Sequence, residues 1–251
     1  AEGKSADLIL GNNVYAHVPD INDFTRAIAT ALKPEGMVTL EFPHLMRMVE
    51  HRQFDTVYHE HFSYLSLMTV QRIFETNGLR VVDVEELPTH GGSLRVYGCR
   101  ADASHVASGN VASVLAEERT RGMDTPAFYE GFQAEAEAVK DAAVRFLLDA
   151  KRDGKAVAGY GAAAKGNTLM NFAGIRPDLL PRVHDAALAK QNMFLPGSHI
   201  PILAPSALDD ARPDYVVILP WNIADEVRAQ LSHLAEAGTR FVTFVPELKI
   251  V

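Results

Sequence analysis

Hydrophobic and polar positions along the chain follow two rhythms. One is the short apolar run closed by Gly, Asn or Pro, and the other is the longer stretch with apolar residues three and four apart. The first run, Ala6-Asp7-Leu8-Ile9-Leu10 before Gly11-Asn12-Asn13, has the form of a buried parallel strand with polar groups at its C-terminal end. Ligands gather at such ends in open α/β sheets. After His17-Val18-Pro19-Asp20 the spacing predicts a helix over 21–32, stopped by Lys33-Pro34-Glu35-Gly36, and a strand over 37–42. Nothing before these residues supplies a glycine-rich turn or an acidic ribose partner, so the chain reads as beginning mid-domain. Past Pro43-His44-Leu45 the pattern loosens into a polar segment of the kind that carries function.

A helix is predicted over 69–77, with Thr69 as its cap and Asn77-Gly78 as its stop, followed by strands over 79–87 and 93–100. From Val111 the composition shifts to Ala, Glu and Lys. Phe128, Phe132, Ala136, Val139, Ala143, Phe146, Leu147 and Ala150 predict one long amphipathic helix ending at Asp153-Gly154, after a domain boundary. Strands over 156–160, 182–185, 214–219 and 240–245, with a helix to Phe172 and another over 222–237, imply a second parallel sheet.

Composition narrows the function classes. The 251 residues are 47% hydrophobic, enough for a large core, and the net charge is −8 with a pI near 5.7. No Lys/Arg block attracts phosphate backbones, so nucleic acid and acidic membrane surfaces are excluded as partners. The single cysteine, Cys99, leaves no intrachain disulfide and fits a reducing cytoplasm. No apolar run reaches the ~20 residues of a membrane span, and the N-terminus shows no signal-peptide core.

Three stretches hold candidate chemistry. Tyr58-His59-Glu60-His61-Phe62-Ser63-Tyr64 packs a phenol, two imidazoles and a carboxylate into four consecutive positions, a set suited to removing a proton next to a carbonyl. A helix would put Tyr58 and His61 on one face, whereas an extended chain would pair Tyr58 with Glu60 and His59 with His61. The bland readings are a solvated loop or metal ligands, with His17, His44 and His51 available but none in a recognisable ligand spacing. In Thr89-His90-Gly91-Gly92-Ser93 the glycines allow close backbone approach, and His90, Ser93 and Arg95 offer donors; the alternative is an ordinary Gly-Gly hairpin. Gly159-Tyr160-Gly161-Ala162-Ala163-Ala164-Lys165-Gly166-Asn167-Thr168 opens a helix after a strand and offers an anion site, yet its spacing matches neither the dinucleotide fingerprint nor the P-loop.

Taken in order, these motifs, with Lys190-Gln191, Leu195-Pro196-Gly197-Ser198-His199-Ile200-Pro201 and Leu219-Pro220-Trp221-Asn222, resemble the nucleotide-sugar C-methyltransferases, and most closely the dTDP-deoxysugar C-3-methyltransferases of antibiotic pathways. The resemblance covers essentially the whole chain. It implies an α/β fold: the second half of a Rossmann-like class I methyltransferase domain with its catalytic loop over 1–103, then a Rossmann-like sugar-nucleotide domain over 104–251. It further implies S-adenosylmethionine as methyl donor, with Asn12 and Asn13 at its site, and a dTDP-linked 4-keto-deoxysugar as substrate. The family's N-terminal zinc module and the glycine-rich half of the donor domain are absent from this sequence, so the donor site is expected to be incomplete.

By the same resemblance His61 is the base that removes the C3 proton, with Tyr58 and Glu60 beside it and His17 close to the keto sugar. His90, Gly91, Gly92, Ser93, Arg95, Lys165, Asn167, Lys190 and Asn222 are expected to bind substrate, and the protein is expected to be monomeric, with no metal bound by this chain. The competing class is an NAD-dependent nucleotide-sugar oxidoreductase or epimerase, and a third is a non-enzymatic binding module.

Overall fold

The computed structural model describes residues 5–251. They form two compact units, one reaching to Glu50 and resuming over His59–Glu130, the other comprising His51–Tyr58 and Gly131–Val251.

In the first unit a four-stranded sheet runs β1 (Ala6–Asn12), β2 (Leu32–Pro43), β4 (Ser93–Arg100), β3 (Leu79–Leu87) across its width. β1 pairs parallel with β2, and the other two contacts are antiparallel. The parallel crossover is α1 (Ile21–Ala31), whose Ile21, Phe24 and Ile28 fall at helical spacing and face the core. Its first turn is closed by Asp20, which accepts from the Asp23 N–H at 2.8 Å. One face of the sheet packs under α1, α3 (Leu67–Thr76) and α4 (Gly109–Thr120) around Phe42, Phe74, Leu94 and Val96. On the edge strand, Leu8 and Leu10 are 54% and 69% exposed, so β1 is not the doubly covered strand its composition predicts.

The expected start of α3 (Leu67–Thr76) is corrected. The cap of α3 is Ser66, whose Oγ accepts from Thr69 N–H at 3.1 Å, because the apolar Leu67 already lies in the first helical turn. The same turn is held by Glu118 on α4, which accepts from the Leu67 and Met68 N–H groups at 2.6 and 2.9 Å and from His44 Nε2 at 2.8 Å. Long separation hides this from a local reading.

In the second unit the sheet runs β10 (Lys249–Ile250), β9 (Arg240–Thr243), β8 (Tyr215–Ile218), β5 (Val157–Tyr160), β6 (Val183–His184), β7 (Ile202–Leu203), parallel except for β10. The predicted long helix is α5 (Phe132–Arg152), with Ala136, Val139, Ala143, Leu147 and Ala150 buried. Phe128 lies outside it, in a separate single turn, because Gly131 at φ 89° breaks the helical path. α6 (Ala164–Phe172) follows β5 and α7 (Ala207–Ala211) precedes β8. The helix expected over 222–237 is two short ones, α8 (Ala224–Gln230) and α9 (Ser232–Glu236), preceded by a turn at Trp221–Ile223. A further short helix, α2 (Leu45–Glu50), occupies the segment after β2.

Candidate functional site

In the first unit the candidate chemistry collects beyond the C-terminal ends of β1 and β2. Tyr15 is fully buried, its ring against Phe24, Phe42 and Phe74, and its hydroxyl meets Thr25 Oγ1 at 2.8 Å. Burial pushes the phenol up to about 12, so it stays neutral and serves as an anchor. Two residues on, His17 leaves the anchored turn half-buried. Ala16 between them accepts from the Phe62 and Ser63 N–H groups at 2.9 and 3.2 Å. These two bonds bring His61 to His17, with ring centroids 4.7 Å apart and near edge-on, and Tyr64 lies 6.3 Å from His61.

Residues 58–64 are neither helix nor strand: a bend at Tyr58, a turn at His59-Glu60 and an irregular stretch from His61. Neither face-sharing pattern therefore holds, and His59 and Glu60 are exposed. Tyr58 ends the segment that belongs to the second unit.

A second group lies beside the strand ends. Asn13, at φ 53°, donates from Nδ2 to His90 Nε2 at 2.7 Å, and its N–H is bound to Glu41 O at 2.9 Å. The buried Glu41 carboxylate accepts from Thr89 Oγ1 at 3.0 Å and from Arg95 at 2.9 Å. Ser93 Oγ donates to Thr89 O, and Gly92, at φ 118°, lies so close to Arg47 that a β-carbon would stand 2.8 Å from its side chain. His90, Ser93 and Arg95 are thus held in one polar network on the β3–β4 hairpin. Glu41, which organises it, has no local signal, being an acidic residue inside an apolar strand run. Asn12 lines an open cleft of about 400 Å³ on the sheet face, with Leu8, Leu10, Met37, Thr39, Arg95 and Tyr97.

In the second unit the glycine loop precedes α6. A β-carbon at Gly161, at φ 91°, would collide with Pro220, and one at Gly166 would stand 2.6 Å from Leu219. Internal packing against the chain leaving β8 therefore accounts for both glycines. Ala162 N–H donates to Asp185 Oδ2 at 2.7 Å, and Lys190 pairs with the same carboxylate at 3.2 Å. Asn167 is half-buried on α6, and Asn222 is in the turn after β8. Lys165 places its ammonium 4.7 Å from the centre of the Trp221 ring, and Trp221 Nε1 donates to Asp55 Oδ2 at 2.7 Å. Asp55 was not singled out from sequence, and Trp221 entered only as part of the stretch Leu219–Asn222, with no role given to it. Trp221 is also the only tryptophan of the chain, a further signal that pointed there.

Among the described residues no group of three or more His, Cys, Asp or Glu is arranged to hold a metal ion. Also among them, no helix is long and apolar enough to cross a membrane.

The methyltransferase-domain family model matches residues 1–84, and the model for the C-methyltransferase C-terminal domain matches residues 88–246. The C-methyltransferase NovU of Streptomyces niveus is 38% identical over 98% of this chain, which spans 59% of that protein's length. Among solved structures, the mitomycin 7-O-methyltransferase MmcR is 20% identical, with TM-score 0.33 over 40% of this chain and 31% of its own. The magnesium protoporphyrin IX methyltransferase of Synechocystis PCC 6803 is 15% identical, with TM-score 0.32 over 39% and 47%. The match over residues 88–246 covers more than half of the sequence, and the chain belongs to the C-methyltransferase family.

Proposed function

We propose that the protein of which this chain is a part methylates C3 of a dTDP-linked 4-keto-deoxysugar, using S-adenosylmethionine. The observation that carries the reading is the His17–His61 pair, two imidazoles 4.7 Å apart beyond the end of a parallel strand, in a chain of the C-methyltransferase family. A hydrogen beside a ketone becomes removable when a base is held against it and donors face the developing enolate oxygen. His61 is the proposed base, with His17 close to the keto sugar, Tyr58 a donor to the enolate and Glu60 beside His61. A base of this kind contributes roughly 10²–10⁴-fold when its pKa lies near the working pH.

The methyl donor, when bound, supplies an electrophilic methyl group on a sulfonium. Asn12 and Asn13 offer amide groups at the strand end that suit a nucleoside or amino-acid moiety, and they make up one wall of such a site. Asn13 donates to His90, a bond that on this reading would link the proposed donor and substrate sides of the unit. The functional division proposed is chemistry on 1–103 and sugar-nucleotide binding on 104–251, where Asn167, Lys190 and Asn222 are the proposed contacts; within the first part, His90, Gly91, Gly92, Ser93 and Arg95 are the proposed substrate contacts. Lys165 stands in the same loop as Asn167.

Incubating the complete protein with a dTDP-4-keto-deoxysugar and methyl-labelled S-adenosylmethionine tests the reading. Label is expected in the sugar at C3. Label on an oxygen, or no transfer together with NAD-dependent oxidation of the sugar, contradicts it.

A further inference from the structure

We infer that Asp55, Trp221 and Lys165 form a tether that holds the segment His51–Tyr58 in the C-terminal unit and so positions Tyr58. The segment is separated from the rest of that unit by more than seventy residues of sequence, and local propensity gives it no reason to fold there. Three attachments do. Trp221 Nε1 donates to Asp55 Oδ2 at 2.7 Å, the Phe54 ring meets Phe172 of α6 at 5.2 Å, and Arg52 pairs with Glu135 of α5 at 2.9 Å. The last is solvent-exposed and contributes little. The first is buried, Asp55 being 1% exposed.

A carboxylate at such a site is costly unless donors and a cation stand by it. Burial raises the Asp55 carboxyl above its ordinary range, while the Lys165 charge, the indole N–H and backbone N–H groups draw it back. Burial likewise lowers Lys165, and Asp55 opposes that shift. Indole, carboxylate and ammonium therefore stabilise one another, with the ammonium over the ring face adding a cation–π contact. Lys165 acts here through Asp55 and Trp221, and Tyr58 lies three residues beyond Asp55. These three are positioning residues, and their kinetic consequence rests on the function proposed above.

The test uses the complete protein and four variants: Trp221→Phe, which keeps the ring and removes the N–H, Asp55→Asn, Lys165→Met and Lys165→Arg. Two readouts are taken, steady-state methylation and the rate of tryptic cleavage after Arg52, the one Lys or Arg in the segment. Misplacement of a reacting group by about an ångström costs up to about a hundredfold, so kcat should fall roughly ten- to a hundredfold in the first three variants. The sugar-nucleotide KM should stay within about threefold, and cleavage after Arg52 should accelerate; Lys165→Arg should recover most of both.

If Lys165→Met raises KM with kcat and cleavage unchanged, the lysine is a substrate ligand and the tether is wrong. Faster cleavage with unchanged kcat also overturns the positioning role. Should the wild type transfer no methyl group, the function fails, while cleavage after Arg52 still decides whether the tether exists: acceleration supports it and an unchanged rate overturns it.

Discussion

At the scale of single residues the site includes buried and half-buried polar groups whose partners come from distant parts of the chain. Arg95 shows the energetic consequence. Its guanidinium serves Glu41, whose side chain is 6% exposed, and reaches Glu85 at 3.4 Å. Arg95→Ala leaves the Glu41 carboxylate with Thr89 as its remaining side-chain donor, and a buried group so stripped costs about 1–3 kcal/mol. Urea unfolding should show that loss, and an unchanged midpoint would mean Glu41 is satisfied without Arg95. His184 offers a pH test. Fully buried on β6, it donates from Nδ1 to Ala204 O, and desolvation holds its pKa below the ordinary 6.5. The unfolded chain then binds the proton more readily than the native state. Stability from the neutral ring is present above about pH 6.5 and is lost as pH falls from there toward the depressed native value. His184→Gln should flatten the thermal midpoint across that window relative to wild type, and parallel profiles would remove His184 as a contributor.

At the scale of elements, what is local was legible and what is long-range was not. The apolar runs of β1, β3, β4, β5 and β8 announce themselves, as does the stripe from Phe132 to Ala150 on α5. β6 falls within the strand expected over 182–185, whereas the two-residue β7 carries too few positions for a period to register. The α3 cap was misplaced because Ser66 and Thr69 are both good cap residues, and the choice depends on where Leu67 and Glu118 fit. Ser66→Ala should cost about 1 kcal/mol of stability by chemical denaturation. Thr69→Ala should cost less, since it keeps the N–H bound to Ser66 Oγ and removes only a hydroxyl that accepts from Ser66. The reverse order would return the cap to Thr69.

At the scale of the molecule, the α/β class and the family were readable from motif order, and much of the candidate site was nameable residue by residue. Its organisation was not: the Ala16 carbonyl that joins His17 to His61, the Glu41 carboxylate beneath the hairpin and the Asp55–Trp221 bond, 166 positions apart in sequence, follow only from three-dimensional packing. Under the proposed function His61 is a base aimed at a carbon-bound hydrogen. The most direct measurement is exchange of the sugar C3 hydrogen with solvent deuterium, followed by proton NMR in the complete protein with the dTDP-4-keto-deoxysugar and no methyl donor. Wild type should exchange it, and His61→Asn should slow exchange by about 10²–10⁴ with little change in substrate affinity. Exchange at the wild-type rate in His61→Asn but abolished in His17→Asn would contradict the account and make His17 the base.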